Sequence, residues 1–440
     1  MKASSIEPTV SHAVLDPRLP GDSLALLQDV WREHGDYVQL ELQGSDNPAY
    51  LLSDPVLIEQ TLAQHHDSIT RGFAGDRLAL MLGQGLLVND GELWKTQRQL
   101  MHPLFHRGSL GWLGATAERS NSALVERLQS SADRGAVLDL NRVMLDFSLG
   151  FNLDILFGPD AARLKALVED DFFEKLTEEP AGTTRENLLF LRDTERLRRH
   201  LTELIAERHR RSATDQPDLL DGLIGARDRR SGAPMAAAQI VDELLSLLTA
   251  GHVTIASGLS SLWRSLMQQP LTMSRLRAEA ATVCGGAPAR AAAYTELSFT
   301  RRCVQEALRL TPPIWIMTRR TTAPIRLGAC EVPAETQLVI APALVHHHPA
   351  HWTDAEAFLP ERFTPEATRA RNRYAYLPFS AGPRSCLGDQ LSLLQNTLHV
   401  ATVIQTFDLT ADGDGFVSEP GFVYRSKAPF SIRLTRHEPS

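Results

Sequence analysis

Cys386 lies in the run Phe379-Ser380-Ala381-Gly382-Pro383-Arg384-Ser385-Cys386-Leu387-Gly388, an irregular stretch that gives way to the apolar helical pattern Leu387, Leu391, Leu394, Leu398. A cysteine just ahead of a helix N-terminus meets the positive end of the helix dipole and unsatisfied backbone N–H groups. Both lower its pKa and favour the thiolate. Gly382 and Gly388 let the backbone come close to something flat and bulky. For a cysteine taken alone, burial as a small apolar side chain is the ordinary role. A thiolate so held can also serve as the axial ligand that pushes electron density onto a haem iron and favours O–O cleavage.

The same run matches, position for position, the signature Phe-x-x-Gly-x-Arg-x-Cys-x-Gly. On that match the chain resembles the cytochrome P-450 superfamily of haem-thiolate monooxygenases, of the soluble bacterial kind. The resemblance implies that Cys386 is the iron ligand and that Phe379, Gly382, Arg384 and Gly388 form the haem-binding loop. It implies haem b as cofactor and a mainly α fold with small β-sheets, the haem lying between a long central helix and the cysteine loop.

Other motifs support the likeness. Ala250-Gly251-His252-Val253-Thr254 resembles the family's oxygen-activating segment Ala-Gly-x-Asp/Glu-Thr. There the small Ala-Gly pair leaves room for O2 and the threonine hydroxyl assists its scission. Ala250, Gly251 and Thr254 are the expected counterparts. Val253 stands where the family has an acid, so the carboxylate that would relay protons is missing. Drift, with water or His252 substituting, and atypical chemistry both remain open. Glu306 and Arg309 share one helix face at i,i+3, a weak signal alone. With Pro360-Glu361-Arg362-Phe363 they match the family's structural Glu–Arg–Arg triad, here Glu306, Arg309 and Arg362. Trp94 and Arg98, four apart, share a helix face suited to a propionate. The resemblance adds Arg319 and Arg384 as further propionate partners. The histidines of His346-His347-His348-Pro349-Ala350-His351 lack a carboxylate or cysteine at regular spacing to complete a metal site.

By the same resemblance, the substrate pocket draws on the loop around Phe73–Val88, the central helix and Ile314-Trp315-Ile316-Met317. Phe73, Leu86, Leu87, Val88, Leu247, Leu248, Val253, Trp315 and Ile316 are the candidates, and half of these could simply pack in the core. Their apolar character suits a lipophilic small molecule, as in terpenoid or polyketide tailoring within secondary metabolism. O2 and electrons from a separate ferredoxin or flavodoxin with its reductase are implied, since no fused reductase is expected. Lys95, Arg107, Arg371 and Arg373 could form a docking patch, or be ordinary solvated surface. Hydroxylation or epoxidation is the expected reaction. Peroxide-driven, coupling, desaturation or rearrangement chemistry is the alternative that Val253 raises, and a non-catalytic haem sensor or carrier is a third.

The elements that must position these residues are legible in outline. Leu244–Trp263 is an uncharged run of twenty residues, read as a buried central helix in preference to a membrane span. Arg185–Arg211 carries Leu, Arg and Glu at helical spacing, as a surface helix does. Tyr37–Leu42 alternates at the strand period, and so does Phe430–Leu434. Ile325–Leu327 and Gln337–Ala341 read as a strand pair split by Pro333. Loops are expected at Ser212–Pro217, Arg230–Pro234, Gly285–Ala291 and Thr410–Gly421.

No linker, repeat or low-complexity segment divides the 440 residues, so residues 1–440 are expected to form a single domain, with 1–30 weakly patterned. A hydrophobic share of 43% and a charged share of 22% describe an ordinary soluble protein. A net charge of −8 gives no global basic field for nucleic acid. Four scattered cysteines favour a reducing compartment. The N-terminus lacks an apolar stretch of signal or anchor length, so a cytoplasmic protein without a membrane anchor is expected.

Overall fold

Long Leu-rich stretches free of proline become helices, and short β-branched stretches become small sheets. The computed structural model is accordingly mainly helical with small sheets. It describes residues 6–19, 21–73, 82–106, 110–168, 184–211, 217–413, 418–421, 423–426 and 428–437. Contacts gather the chain into two units, each assembled from separate stretches. The first holds 1–78, 305–386 and 418–425; the second holds 79–304, 387–417 and 426–440.

The first unit is built on a six-stranded mixed sheet. Its order is Thr9–Leu15, Tyr37–Leu42, Ala49–Leu52, Gln337–Ile340, Met317–Thr321, Ile69–Arg71. The pleat sends Tyr37, Tyr50, Leu52, Leu338 and Ile340 into one core cluster. Val38, Leu40, Leu51 and Val339 enter the other, so both faces of the sheet are covered. One expected pairing is corrected here. Ile325–Leu327 pairs with Cys330–Val332 in a hairpin of its own, turning at Gly328, whose φ is +59°. Gln337–Ile340 instead lies parallel to Ala49–Leu52 and antiparallel to Met317–Thr321. A buried strand with two partners draws its register from them, which a local turn signal does not reveal.

The second unit is helical. Its longest element, Ala237–Met267, runs uninterrupted from just after Pro234 to just before Pro270, about 46 Å at 1.5 Å per residue. It is long and apolar enough to cross a membrane by length and composition, but 72% of its most apolar window is buried inside the protein. The helices Leu110–Asp133 and Asp389–Thr406 join it through a buried polar chain. Trp263 donates its indole N–H to His399 Nε2 at 2.9 Å, and His399 Nδ1 lies 3.2 Å from Asn121 Oδ1. Burial pushes His399 down to about 3, so it stays neutral, with one nitrogen accepting and the other donating.

The Arg-rich helix spans Thr184–Arg210, matching the expected range to within one residue at each end. Near its C-terminus Arg208 turns inward and donates to Asp160, Asp218 and Asp221, with the Phe157 carbonyl completing the set. A three-stranded antiparallel sheet of Phe407–Ala411, Ser431–Arg436 and Val137–Asp139 closes this unit. The stretch expected as a loop at Thr410–Gly421 therefore begins inside a strand, and Ser418–Pro420 is a strand as well. Residues 414–417 of that loop, 212–216 of another, 74–81 before Val88, and Arg107 lie outside the described residues.

Candidate functional site

In the first unit, Glu306 has no exposed surface, and neither does Arg309. Arg309 grips the carboxylate with two bonds, Nε to Oε2 at 2.7 Å and Nη2 to Oε1 at 2.9 Å. Arg362 Nε donates to Oε1 at 3.2 Å and the Leu359 backbone N–H to the same oxygen at 2.8 Å. The remaining guanidinium donors of Arg309 go to the carbonyls of His346, Ala355 and Ala357. Glu306, Arg309 and Arg362 are thus brought together, and each buried charge is met by donors or acceptors.

From that triad the contacts lead towards the cysteine loop. Tyr376 donates its hydroxyl to the Gln305 carbonyl at 2.8 Å. His346 is fully buried and bridges two segments: Nδ1 bonds the Arg309 carbonyl at 3.0 Å and Nε2 accepts the Leu377 N–H at 2.7 Å. Burial holds His346 well below the ordinary histidine range, which keeps Nε2 an acceptor. These two side chains tie Leu377 to the helix of the triad, two residues ahead of Phe379. Sequence reasoning treated His346 as one of a run of histidines; the signal it lacked was the spatial nearness of Leu377. Among the described residues no cluster of three or more His, Cys, Asp or Glu side chains could hold a metal ion.

The loop itself is fixed by backbone. Cys386 N–H donates to the Phe379 carbonyl at 2.9 Å, and Ser385 N–H to the Gly382 carbonyl at 3.1 Å. Gly382 has φ +71° and presses so closely on the Leu62 carbonyl that a Cβ would sit 2.0 Å from its oxygen. No other residue fits there. Phe379 to Ser385 are all half-exposed and Cys386 is exposed, whereas Leu377 is buried. None of the four cysteines forms a disulfide. The loop thus presents a soft sulfur donor on a partly apolar surface, which fits an axial thiolate. Arg319 sits half-exposed on the strand Met317–Thr321, donating to the Thr318 carbonyl. Arg384 is also half-exposed. Arg371 is turned inward, its guanidinium 4.2 Å from the Trp352 ring centroid and 4.9 Å from that of Phe363. This takes it out of the expected docking patch. Of the apolar candidates in this unit, Trp315 is a core residue with no exposed surface, its indole N–H donated to the Gly421 carbonyl. Ile316 is also buried, and Phe73 packs partly buried against the same cluster.

In the second unit, the helix Ala237–Met267 is buried from Ile240 to Trp263 except for a stripe in its middle. Leu247, Ala250, Gly251 and Thr254 are half-exposed at i, i+3, i+4 and i+7, and Val253 is half-exposed beside them. Leu248 is core. Thr254 Oγ1 donates to the Ala250 carbonyl at 2.6 Å, so its proton is committed within the helix and its lone pairs are what it offers outward. His252 is buried, and burial pushes it down to about 4. It is therefore neutral near pH 7, a poor substitute for the missing acid. Ser148 and Asn152, unsuspected from the sequence, donate from the helix Leu140–Phe157 into the carbonyls of this segment. Trp94 is buried on the helix Gly91–Met101, with the Arg98 guanidinium 5.8 Å from its ring centroid.

Two acids precede the stripe. Asp242 accepts from the Gln84 N–H at 2.9 Å and Glu243 from the Leu86 N–H at 2.8 Å. Arg198 pairs with Asp242, and Gln239 donates to Glu243. Gly85 passes so close that a Cβ would meet Ser246 Oγ at 2.0 Å. The segment that carries Leu86, exposed Leu87 and buried Val88 is thus clamped to the helix.

A family model for cytochrome P450 matches residues 18–429. The chain belongs to the cytochrome P450 family. It is similar to cyclooctatin synthase of Streptomyces melanosporofaciens, 31% identical over 90% of this chain and 87% of that one. It is 31% identical to cyclooctat-9-en-7-ol 5-monooxygenase of the same organism, over 91% and 88% of the two chains. Pentalenene oxygenase of Streptomyces avermitilis is 30% identical over 98% and 96%. The crystal structure of the cytochrome P450DA haem domain superposes with a TM-score of 0.84 at 20% identity, covering 94% of this chain and 93% of that one. This cytochrome P450 is an oxidoreductase of the monooxygenase kind, with a haem-thiolate cofactor, O2, a lipophilic substrate and a redox partner.

Two stability measurements probe this machinery. Replacing Glu306 with Ala strands two guanidinium groups, one of them wholly buried; chemical denaturation is expected to show a loss of about 3–5 kcal/mol. Burial pushes the Glu243 carboxyl up to about 7. Between its ordinary range and that value, the folded P450 holds a proton that the unfolded chain releases, so stability falls as pH rises through the window. Glu243→Gln removes this charge while keeping an acceptor for the Leu86 N–H. The variant is expected to exceed the unmutated protein by on the order of 2–3 kcal/mol at pH 8, with the gain vanishing below pH 4.5.

Proposed function

We propose that the whole chain works as one haem-thiolate monooxygenase domain that inserts an oxygen atom from O2 into a C–H bond or alkene of a lipophilic cyclic molecule, in terpenoid or polyketide tailoring. The observation that carries the reading is the cysteine loop, where Cys386 is exposed on backbone that bonds to Phe379 and turns at Gly382, a position only glycine fits. The family match spans stretches of both units. The relatives' names give the substrate class its direction, one an unsaturated alcohol and one a hydrocarbon ending in -ene.

Cys386 would hold haem b, which would supply the O2-activating and oxidising chemistry of the reaction. The chain's own residues do the rest. The backbone around Cys386 fixes the sulfur, and the helix beginning at Asp389 follows it by three residues, a setting that stabilises the thiolate. Trp94, Arg98, Arg319 and Arg384 supply donors for the propionates. Thr254 Oγ1, with its proton on Ala250, accepts a hydrogen bond from a water on its half-exposed side. It can then move its own proton outward by rotating off the carbonyl. Leu86, Leu247 and Val253, half-exposed, provide apolar surface that holds substrate and excludes water. A ferredoxin or flavodoxin is the proposed electron donor, and the cytoplasm the proposed compartment.

Val253 favours one specific variation. With no carboxylate at this position and a neutral His252, proton supply depends on water, and turnover is expected to be proton-limited. Titrating the ferric protein with cyclic terpene hydrocarbons, terpenols and macrolides, followed by product analysis, tests the main reading. A Soret shift to high spin with one class, and an oxygenated product from it, is the expected result. Val253→Glu should then raise turnover several-fold and lower its solvent isotope effect. A protein that consumes O2 with every shifting compound yet yields no oxygenated product contradicts a monooxygenase.

A further inference from the structure

The oxygen-activating segment has no charged side chain of its own to hold it, and its backbone is held from behind. Ser148 and Asn152 stand four residues apart on the helix Leu140–Phe157 and are both buried. Asn152 Nδ2 donates to the Leu248 carbonyl at 2.8 Å, with the Leu247 carbonyl at 3.4 Å. Ser148 Oγ donates to the His252 carbonyl at 2.6 Å, with the Gly251 carbonyl at 3.4 Å. Two donors one turn apart thus meet two carbonyl pairs one turn apart. Each carbonyl has a second lone pair to accept with, besides the one used by its own helix.

The same contact explains Gly251. A Cβ built there would lie 2.7 Å from Asn152 Oδ1 and 2.9 Å from its Cγ and Nδ2, closer than van der Waals contact allows. The missing side chain of Gly251 therefore makes room for the Asn152 carboxamide. Leu247, Ala250, Val253 and Thr254 are the residues whose side chains can carry the half-exposed surface.

We propose that Asn152 and Ser148 are positioning residues for the oxygen-activating segment. They fix the height and rotation of the central helix at residues 247–252, and so set where Thr254 Oγ1 points. Gly251 is required by Asn152, whose carboxamide occupies the place of a side chain there. This rests on the monooxygenase reading, and it adds residues that the motif does not contain.

A double-mutant cycle on the haem-loaded protein tests it. Gly251→Ala is expected to lower the thermal midpoint by roughly 3 °C or more and to raise the hydrogen peroxide released per O2 consumed. Asn152→Ala removes the obstructing carboxamide. In that background Gly251→Ala should cost little further, so the pair is strongly non-additive. Equal costs of Gly251→Ala in both backgrounds would overturn the assignment of Gly251. The hydrogen bonds are tested by Asn152→Leu and Ser148→Ala, which remove the donors without burying a charge. With an unchanged thiolate Soret band, each should raise the peroxide yield about threefold or more, with Ser148→Thr restoring it in the second case. A net hydrogen bond of about 1 kcal/mol corresponds to about a fivefold change, so threefold is the least expected for losing one. An unchanged peroxide yield in both overturns the positioning role. A native protein with no thiolate Soret band at all would be the failure of the haem reading itself, and the proposal would fall with it.

Discussion

A carboxylate with no exposed surface must find every donor inside the protein, and Glu306 finds four hydrogen bonds from three residues: Arg309, Arg362 and the Leu359 amide. Removing a charge from water is expensive, and only a full set of well-aimed partners offsets it. The arrangement therefore tolerates little variation. Arg309 spends its other donors on the carbonyls of residues 346, 355 and 357, so one ion pair fixes an otherwise irregular stretch of backbone. His346 and Tyr376 pass that rigidity on to Leu377 and its neighbours. A ligand loop cannot be held by secondary structure of its own; this one borrows its order from a buried charge cluster.

The second unit solves a similar problem without charge. Its central helix must be packed on nearly all sides and still leave one stripe open. Leu247, Ala250, Val253 and Thr254 carry that stripe, while Asn152 and Ser148 secure the helix through its carbonyls. Further along, Asp242 and Glu243 reach out to hold the backbone of residues 84–86. The residues that carry the chemistry are few. The polar side chains that hold them are more numerous, and most are buried.

The two kinds of residue were not equally legible in the sequence. Cys386, Glu306, Arg309, Arg362 and Thr254 stand in contiguous motifs, where identity and spacing along one loop or helix are the signal. The central helix was legible too, because an uncharged run of its length has few alternatives. Ser148, Asn152 and Glu243 act across helices, and nothing local marks a buried serine as a donor to a carbonyl a hundred residues away. The strand Ala49–Leu52 is buried at every position, so it shows no alternation to betray it. Gln337–Ala341 reads as a strand from its own residues, but its partners Ala49–Leu52 and Met317–Thr321 do not, since pairing is a long-range choice. The pocket candidates divided for the same reason: Trp315 and Leu247 are equally apolar in the sequence, yet one is core and the other half-exposed.

The account's central claim is that the sulfur of Cys386 binds the haem iron. Resonance Raman spectroscopy of the ferric holoprotein, prepared with ordinary and with heavy-sulfur cysteine, addresses it directly. The account predicts an iron–sulfur stretching band that moves down with the heavier sulfur and disappears in Cys386→Ser. A spectrum without any sulfur-sensitive iron mode, or one whose mode survives that replacement unchanged, would contradict it.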